Sequence, residues 1–236
     1  MELERILHKQ GFGSRKVCRA MIRAGRVVIA GEVVDDPFVD YSTEGLAFLV
    51  DDVPWTWRET ATLMLHKPAG YECSRNPIHH PSIFKLLPQV LVDKGIQPIG
   101  RLDEDTTGLL IFTDDGKLNH RLSSPKRKVP KTYVVTAKHP VDQAQIDALL
   151  EGVLLNDEPE LLRAAACRVL PDGQLEMTIT EGKYHQVKRM VAAAGNRVEA
   201  LARVKVGQLD LPAELAEGQW RWLSDEELAL LESGKD

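Results

Sequence analysis

Between two glycines the chain reads Gly100-Arg101-Leu102-Asp103-Glu104-Asp105-Thr106-Thr107-Gly108, placing three carboxylates and an arginine in nine residues. The run Leu109-Leu110-Ile111-Phe112-Thr113 follows at once and has the length and character of a buried strand. A strand of that kind fixes the loop that enters it, and so suits a loop that carries reactive groups. These residues alone leave two readings open. In one, the carboxylates form a solvated turn and Arg101 neutralises them. In the other, one carboxylate is a nucleophile or acid–base group held beside a cation. A glycosidase pair made of Asp103 and Asp105 fits poorly, because such carboxyls stand on separate supports about 5–9.5 Å apart.

Cations that could serve such a carboxylate, or a phosphate backbone, occur in four other stretches. His66-Lys67-Pro68-Ala69-Gly70 is a turn with a basic pair at its lip. Pro125–Lys131 holds four cations (Lys126, Arg127, Lys128 and Lys131) and no acid, which fits phosphate contact as well as plain solvation. In Glu181-Gly182-Lys183-Tyr184-His185-Gln186-Val187-Lys188-Arg189-Met190, Val187, Met190, Val191 and Ala194 fall on one helical side, leaving Lys188 off that side near the helix start. Near the N-terminus Arg15, Arg19 and Arg23 recur at helical spacing, with Lys16 beside them and Arg26 just beyond. An ordinary solvated face would mix signs, and this row is nearly free of acids. Guanidinium groups on one side of a helix suit phosphates.

The elements that must position these groups are legible in part. Leu3, Ile6 and Leu7 predict a first helix. Ser14 caps a second, which stops near Gly25, with Val17, Met21 and Ala24 on its buried side. Val27-Val28-Ile29 and Val33-Val34 read as strands about a turn at Ala30-Gly31-Glu32. Trp55–Thr60 reads as the join between two domains, with both tryptophans packed at the junction. Further on, strands are expected at Leu63–Leu65, Thr132–Thr136 and Leu175–Ile179. Short helices are expected after Ser82, over Lys117–Ser123, from Asp142 to Leu150 and after a capping box at Ser224–Glu227. Glu104, Asp105, Asp114 and Asp115 read as structural turn residues. The elements mix without regular βαβ alternation, which predicts an α+β fold with a mixed, mainly antiparallel sheet.

Composition narrows the field further. At 236 residues and 43% hydrophobic the chain can build one or two cored domains. Charge-free stretches are far shorter than the roughly 18 residues a membrane span needs. Acidic and basic residues interrupt the N-terminus, so no signal peptide is expected. Three separated cysteines suggest reduced thiols and a cytoplasmic location. The net charge is −5, yet residues 1–30 hold seven cations against two acids, while residues 31–60 hold eight acids and Arg58. Segregation of that kind can create a basic binding face on an acidic protein. Cys73 with His79 and His80 lacks zinc-site spacing, and no phosphate-binding glycine loop, hydrolase elbow or deaminase signature occurs. What remains is carboxylate chemistry without an evident metal or cofactor, beside basic surfaces.

Two resemblances bear on that remainder. Ser14-Arg15-Lys16, Ile22, Gly25-Arg26-Val27, Gly31 and Val33-Val34 resemble the S4 RNA-binding domain over about the first 55 residues. His66-Lys67-Pro68-x-Gly70-Tyr71, the Gly100–Leu109 stretch, Lys131-Thr132-Tyr133 and Glu181–Met190 resemble, in this order, the motifs of pseudouridine synthases of the RsuA/RluA type. The Tyr-His-Gln-Val-Lys-Arg-Met form is most similar to the RsuA branch, which acts on small-subunit ribosomal RNA. The resemblance implies an S4-like domain over residues 1–57 and a catalytic domain over 58–236. It implies that a uridine is isomerised without metal, nucleotide or other cofactor, with ribosomal RNA, free or in an assembly intermediate, as the partner. Asp103 matches the catalytic aspartate, Tyr133 the active-site tyrosine and Lys188 the basic residue paired with the aspartate. Arg101 matches an arginine that helps extrude the uridine. Arg15, Lys16, Arg19, Arg23, Lys67, Lys126, Arg127, Lys128, Lys131, His185 and Arg189 are expected to contact RNA. The competing expectations are the same chemistry on a large-subunit (23S) ribosomal RNA uridine and a non-catalytic RNA-binding ribosome-assembly factor; intact Asp103, Tyr133 and Lys188 argue against the second.

Overall fold

The computed structural model describes residues 1–232, which form two compact units. The smaller comprises Met1–Ala61 together with Leu87–Gln97. In it α1 (Leu3–Gln10) and α2 (Arg15–Arg23) cover a four-stranded sheet of β1 (Val27–Ile29), β2 (Glu32–Val34), β3 (Ala47–Val50) and β4 (Val53–Thr56), in the order β2-β1-β3-β4. The core joins Leu3, Ile6 and Leu7 to Cys18, Met21, Ile22, Val27, Phe48 and Val50. Ser14 caps α2 by accepting from Val17 N at 3.3 Å. Val17 itself is 48% exposed, and Ala24 is also on the outside. The buried stripe runs instead through Cys18, Met21 and Ile22, one position round the helix from the expected side. Trp55 lies in β4 with its ring 5.2 Å from Phe12, and Trp57 packs on the same core, so both tryptophans belong to this unit's own packing.

A helix from much later in the chain completes the unit. α3 (Gln89–Lys94) carries Lys94, whose Nζ donates to Lys9 O at 2.9 Å and to Arg58 O and Glu59 O at 3.2 Å each. Gly11 lies under this helix, and a Cβ on it would stand 2.1 Å from Val90 O, so only glycine permits the approach.

The larger unit comprises Thr62–Leu86 and Pro98 onward. Among the described residues its sheet has nine strands. Seven run in the order β13-β5-β7-β11-β8-β10-β9, where β5 is Thr62–Lys67, β7 Thr107–Thr113, β8 Lys131–Ala137, β9 Ala166–Val169, β10 Leu175–Ile179, β11 Val198–Val206 and β13 Trp220–Trp222. Short strands β6 (Gln97–Ile99) and β12 (Leu209–Asp210) pair with β7 and β11. The β7–β11 pair is parallel and the other pairs on that path are antiparallel, giving the mixed sheet of an α+β fold. Asp115 caps α4 (Gly116–Ser123), accepting from Lys117 N at 2.8 Å and Leu118 N at 3.2 Å. Asp142 and Gln145 close a capping box on α5 (Gln143–Glu151). α6 (Gln186–Ala193) buries Val187, Met190 and Val191, and Ser224 and Glu227 cap α7 (Asp225–Glu232) reciprocally. No helix among the described residues is long and apolar enough to cross a membrane.

Candidate active site

The Gly100–Gly108 loop is built to enter β7 at one point only. Gly108 has φ +106°, and a Cβ there would sit 2.2 Å from Arg203 O on the parallel neighbour β11. The pairing of β7 with β11 therefore requires glycine. Within the loop Thr106 N donates to Asp103 O at 3.2 Å, and Gly70 N donates to Glu104 O at 2.7 Å.

Lys67 supports the loop from inside. Its side chain is wholly buried, and Nζ donates to Pro68 O (3.0 Å), Glu104 O (3.1 Å) and Thr106 O (2.8 Å). Burial pushes its pKa down. The expectation of RNA contact is thus corrected for Lys67: an ammonium that spends its donors on three internal carbonyls fixes the loop and has no surface from which to meet a phosphate.

Asp103 is partly open, and two groups from the start of α6 face it. Lys188 Nζ lies 3.2 Å from Oδ2, and His185 Nε2 lies 3.4 Å from Oδ1. Lys188 also reaches Asp105 Oδ1 at 2.6 Å, so one ammonium bridges two carboxylates. Burial pushes Lys188 down, but the hydrogen bond it donates to Asp105 and the charge of Asp103 leave it raised. Burial raises Asp105, and Lys188 overrides this to hold it below the usual carboxylate range. Asp105, expected to be a turn residue, is therefore an electrostatic partner of the site. The turn before α6 is fixed by Lys183 N donating to Gln186 Oε1 (3.0 Å) and Gln186 Nε2 donating to Glu181 Oε2 (3.1 Å). His185 takes a left-handed conformation, φ +48°, and its ring stacks on exposed Tyr184 at 3.8 Å.

Asp103, Tyr133 and Lys188 line one pocket of about 450 Å³. Tyr133 is 8% exposed and lies on β8 opposite Arg203 of β11. Lys131 lines the same pocket two residues earlier, its Nζ donating to Val129 O at 3.0 Å. Burial and then the charge of Arg203 push its pKa down to about 8, against an opposing pull from Glu181. Lys131 is thus a pocket group and not part of an exposed basic loop. Arg203, which no motif reading singled out, is 2% exposed in the pocket wall. Its one sequence signal was an arginine inside an apolar strand pattern, Leu201-Ala202-Arg203-Val204.

The other expected RNA contacts are scattered. Arg101 is exposed at the pocket and, among the described residues, forms no ion pair with Glu104 or Asp105. Lys126, Arg127 and Lys128 are exposed on a short turn. Arg189 pairs with Asp157 and donates to Tyr184 O at 3.1 Å, so it braces the turn before α6. In the small unit Arg15, Lys16 and Arg23 are exposed on α2. Arg19 departs from that row: it is paired with the buried carboxylate of Glu4, which corrects its expected role as a free phosphate contact. Among the described residues no group of His, Cys, Asp and Glu is arranged to hold a metal ion.

Comparison with known proteins matches residues 61–193 to the RNA pseudouridylate synthase family and residues 1–37 to the S4 domain. The chain is 40% identical to ribosomal small subunit pseudouridine synthase A of Pasteurella multocida (strain Pm70) over 230 residues, covering 97% of this chain and 98% of that one. It is 38% identical to the protein of the same name from Escherichia coli (strain K12) over 235 residues, covering 97% and 99%. A crystal structure of a pseudouridylate synthase, 38% identical, aligns over 98% of this chain and 99% of its own with a TM-score of 0.69. With its Asp103 pocket, its mixed sheet and matches along almost its whole length, the chain belongs to the RNA pseudouridylate synthase family and carries an N-terminal S4 domain.

Proposed function

We propose that this enzyme converts one uridine of small-subunit (16S) ribosomal RNA to pseudouridine, at the position 516 site of the RsuA branch, with Asp103 as its reacting carboxylate. The observation that carries the reading is Asp103 itself, half-open in a pocket with Lys188 at 3.2 Å and Tyr133 in the wall. A carboxylate held beside an ammonium is a group that can attack the sugar or base or take a sugar proton. The pocket volume suits one extruded nucleoside, and work on a base within folded RNA requires it out of the stack. Arg101, exposed at the pocket, helps extrude the uridine or fills its place. The names of the relatives from Pasteurella and Escherichia support the small-subunit target. Arg15, Lys16 and Arg23 on the S4 domain supply sequence-independent contacts to phosphates.

The test is tritium release from RNA labelled at uracil C5, with small-subunit and large-subunit RNA supplied separately and Asp103→Asn as control. Release from the small-subunit RNA alone, absent in the variant while RNA binding persists, is the expected result. Turnover by Asp103→Asn removes Asp103 from its role, and release from large-subunit RNA alone moves the target.

A further inference from the structure

Two polar side chains in the wall of the Asp103 pocket are buried and unsatisfied. Arg203 Nε donates to Leu109 O at 2.8 Å, but its Nη2 is buried with no hydrogen-bond partner. Thr106 Oγ1, on a residue 1% exposed, also has none. An orphan donor on a buried guanidinium is costly, and such groups are nearly always satisfied. Both residues line the pocket that holds Asp103 and Tyr133, so an acceptor for Arg203 and a partner for Thr106 can enter with the substrate. Arg203 is fixed there by its place in β11, between Gly108 on one side and Tyr133 on the other, and its Nη1 stands 4.0 Å from where a side chain on Gly100 would begin.

We propose that Arg203 and Thr106 form a base-reading floor: Arg203 Nη2 donates to a carbonyl oxygen of the flipped uracil, and Thr106 Oγ1 accepts from its N3–H. This rests on the reading of the Asp103 pocket as the uridine site. A phosphate is the poorer occupant, because a phosphodiester continues into RNA on both sides, whereas the base is a terminal group that can end in a buried wall. Uracil presents carbonyl acceptors on both sides of N3–H, and cytosine lacks that N–H. The contact also has a consequence for the chemistry. When the N1–C1′ bond breaks, its electron pair leaves with the base and spreads over N1 and the carbonyl oxygens. When C5 bonds to C1′, C5 loses its proton and N1 gains one, so the sum is an isomer. A fixed guanidinium at a carbonyl oxygen stabilises the charge of the detached base where water is excluded. Lys131 next to it adds a second cation on the same wall.

The experiment compares the full-length wild type with Arg203→Met, Arg203→Lys and Thr106→Val in single turnover. The substrate is small-subunit RNA carrying uridine or 5-fluorouridine, digested to nucleosides and chromatographed; uridine is read as pseudouridine, and 5-fluorouridine, which has no C5 proton to lose, as loss of the starting nucleoside to a C5-linked product that keeps its fluorine and takes up water at C6. Fluorine already stabilises the detached base as an anion, so it lessens the need for Arg203. The expected result is a loss of about 10²–10³-fold for Arg203→Met on uridine, as for removal of one oxyanion donor. The loss on 5-fluorouridine is then at least about tenfold smaller, Arg203→Lys falls between, and RNA affinity is unchanged. Thr106→Val keeps the side-chain shape and breaks no hydrogen bond within the protein, so it stays folded and isolates the pocket contact even if Arg203→Met does not fold. Its expected loss on uridine is about tenfold, the size of one hydrogen bond of about 1.4 kcal/mol. Equal losses on both substrates for Arg203→Met, or an unchanged rate for Thr106→Val, overturn the assignment while the function stands. A wild type that converts neither RNA overturns the reading of the pocket, and this assignment with it.

Discussion

Lys188 stands closer to Asp105 than to Asp103, at 2.6 Å against 3.2 Å, although Asp103 is the carboxylate inside the pocket. The ammonium is shared, and Asp105, the more exposed of the two, acts as a tether that keeps it at the mouth. Lys188→Met therefore leaves two neighbouring carboxylates uncompensated, and single-turnover tritium release is expected to fall by about 10²-fold or more. Asp105→Asn leaves Lys188 with Asp103 alone and is expected to cost less than about tenfold. A larger loss for Asp105→Asn than for Lys188→Met would show that Asp105 is the reacting group.

Lys67 tests how the loop is held. Replacement by Met keeps much of the volume but takes the ammonium from the carbonyls of Pro68 and Thr106 and leaves Glu104 O with Gly70 N alone. The expected loss of stability is about 2–4 kcal/mol, read as a lower midpoint in urea. Turnover falls with it, and the salt dependence of RNA binding does not change. A changed salt slope at unchanged stability would return Lys67 to the RNA surface.

On α2 the exposed cations and the paired one separate. Replacing both Arg15 and Arg23 is expected to reduce the slope of log affinity against log salt by about 1.4–1.8, with thermal stability unchanged. Arg19→Met strands the buried Glu4 carboxylate, so its expected effect is a lower melting temperature with the salt slope nearly intact. The two variants are compared by filter binding at several salt concentrations and by thermal melting.

These contrasts also mark what could be read from letters alone. The stretches that carry Asp103, Tyr133 and Lys188 were legible as local patterns (a glycine-bounded loop, a strand start and the off-side of an amphipathic helix), while the choice of these three residues came from the family resemblance, and the fold brings them to one pocket. Ser14, Asp142 and the Ser224–Glu227 box were legible because capping is local chemistry. Lys67 was misread because nothing local tells a lysine at a turn that three carbonyls from residues 68, 104 and 106 converge on it. Arg19 was misread for the same reason, since Glu4 lies on another helix. The α2 stripe slipped by one position because Val17 and Cys18 are both apolar, and packing against α1 chose between them. α3 is six residues long, too short for periodicity to declare it, and its place in the small unit is set by distant contacts.

Lys131 makes a prediction with a definite sign. Its folded pKa is about 8, below the ordinary lysine value of 10.5, because burial and Arg203 both oppose the charged form and Glu181 compensates only in part. A depressed lysine binds fewer protons folded than unfolded between those two values, so its effect on stability is unfavourable below about 8 and fades as the pH rises through 10.5. Lys131→Met is therefore expected to melt higher than the wild type at pH 7, with the gap closing toward pH 10. Activity has the opposite preference, since the charged form is the one that can stabilise negative charge on the base. The single-turnover rate of the wild type is expected to fall as the pH rises through about 8, and that limb is expected to be absent in Lys131→Met, whose rate is already lower at pH 7. Stopped-time assays from pH 6 to 9.5 with melting at the same pH values check both. A variant that keeps the wild-type limb would assign it to another group, and one that melts lower at pH 7 would show that the Val129 contact outweighs the desolvation of Lys131.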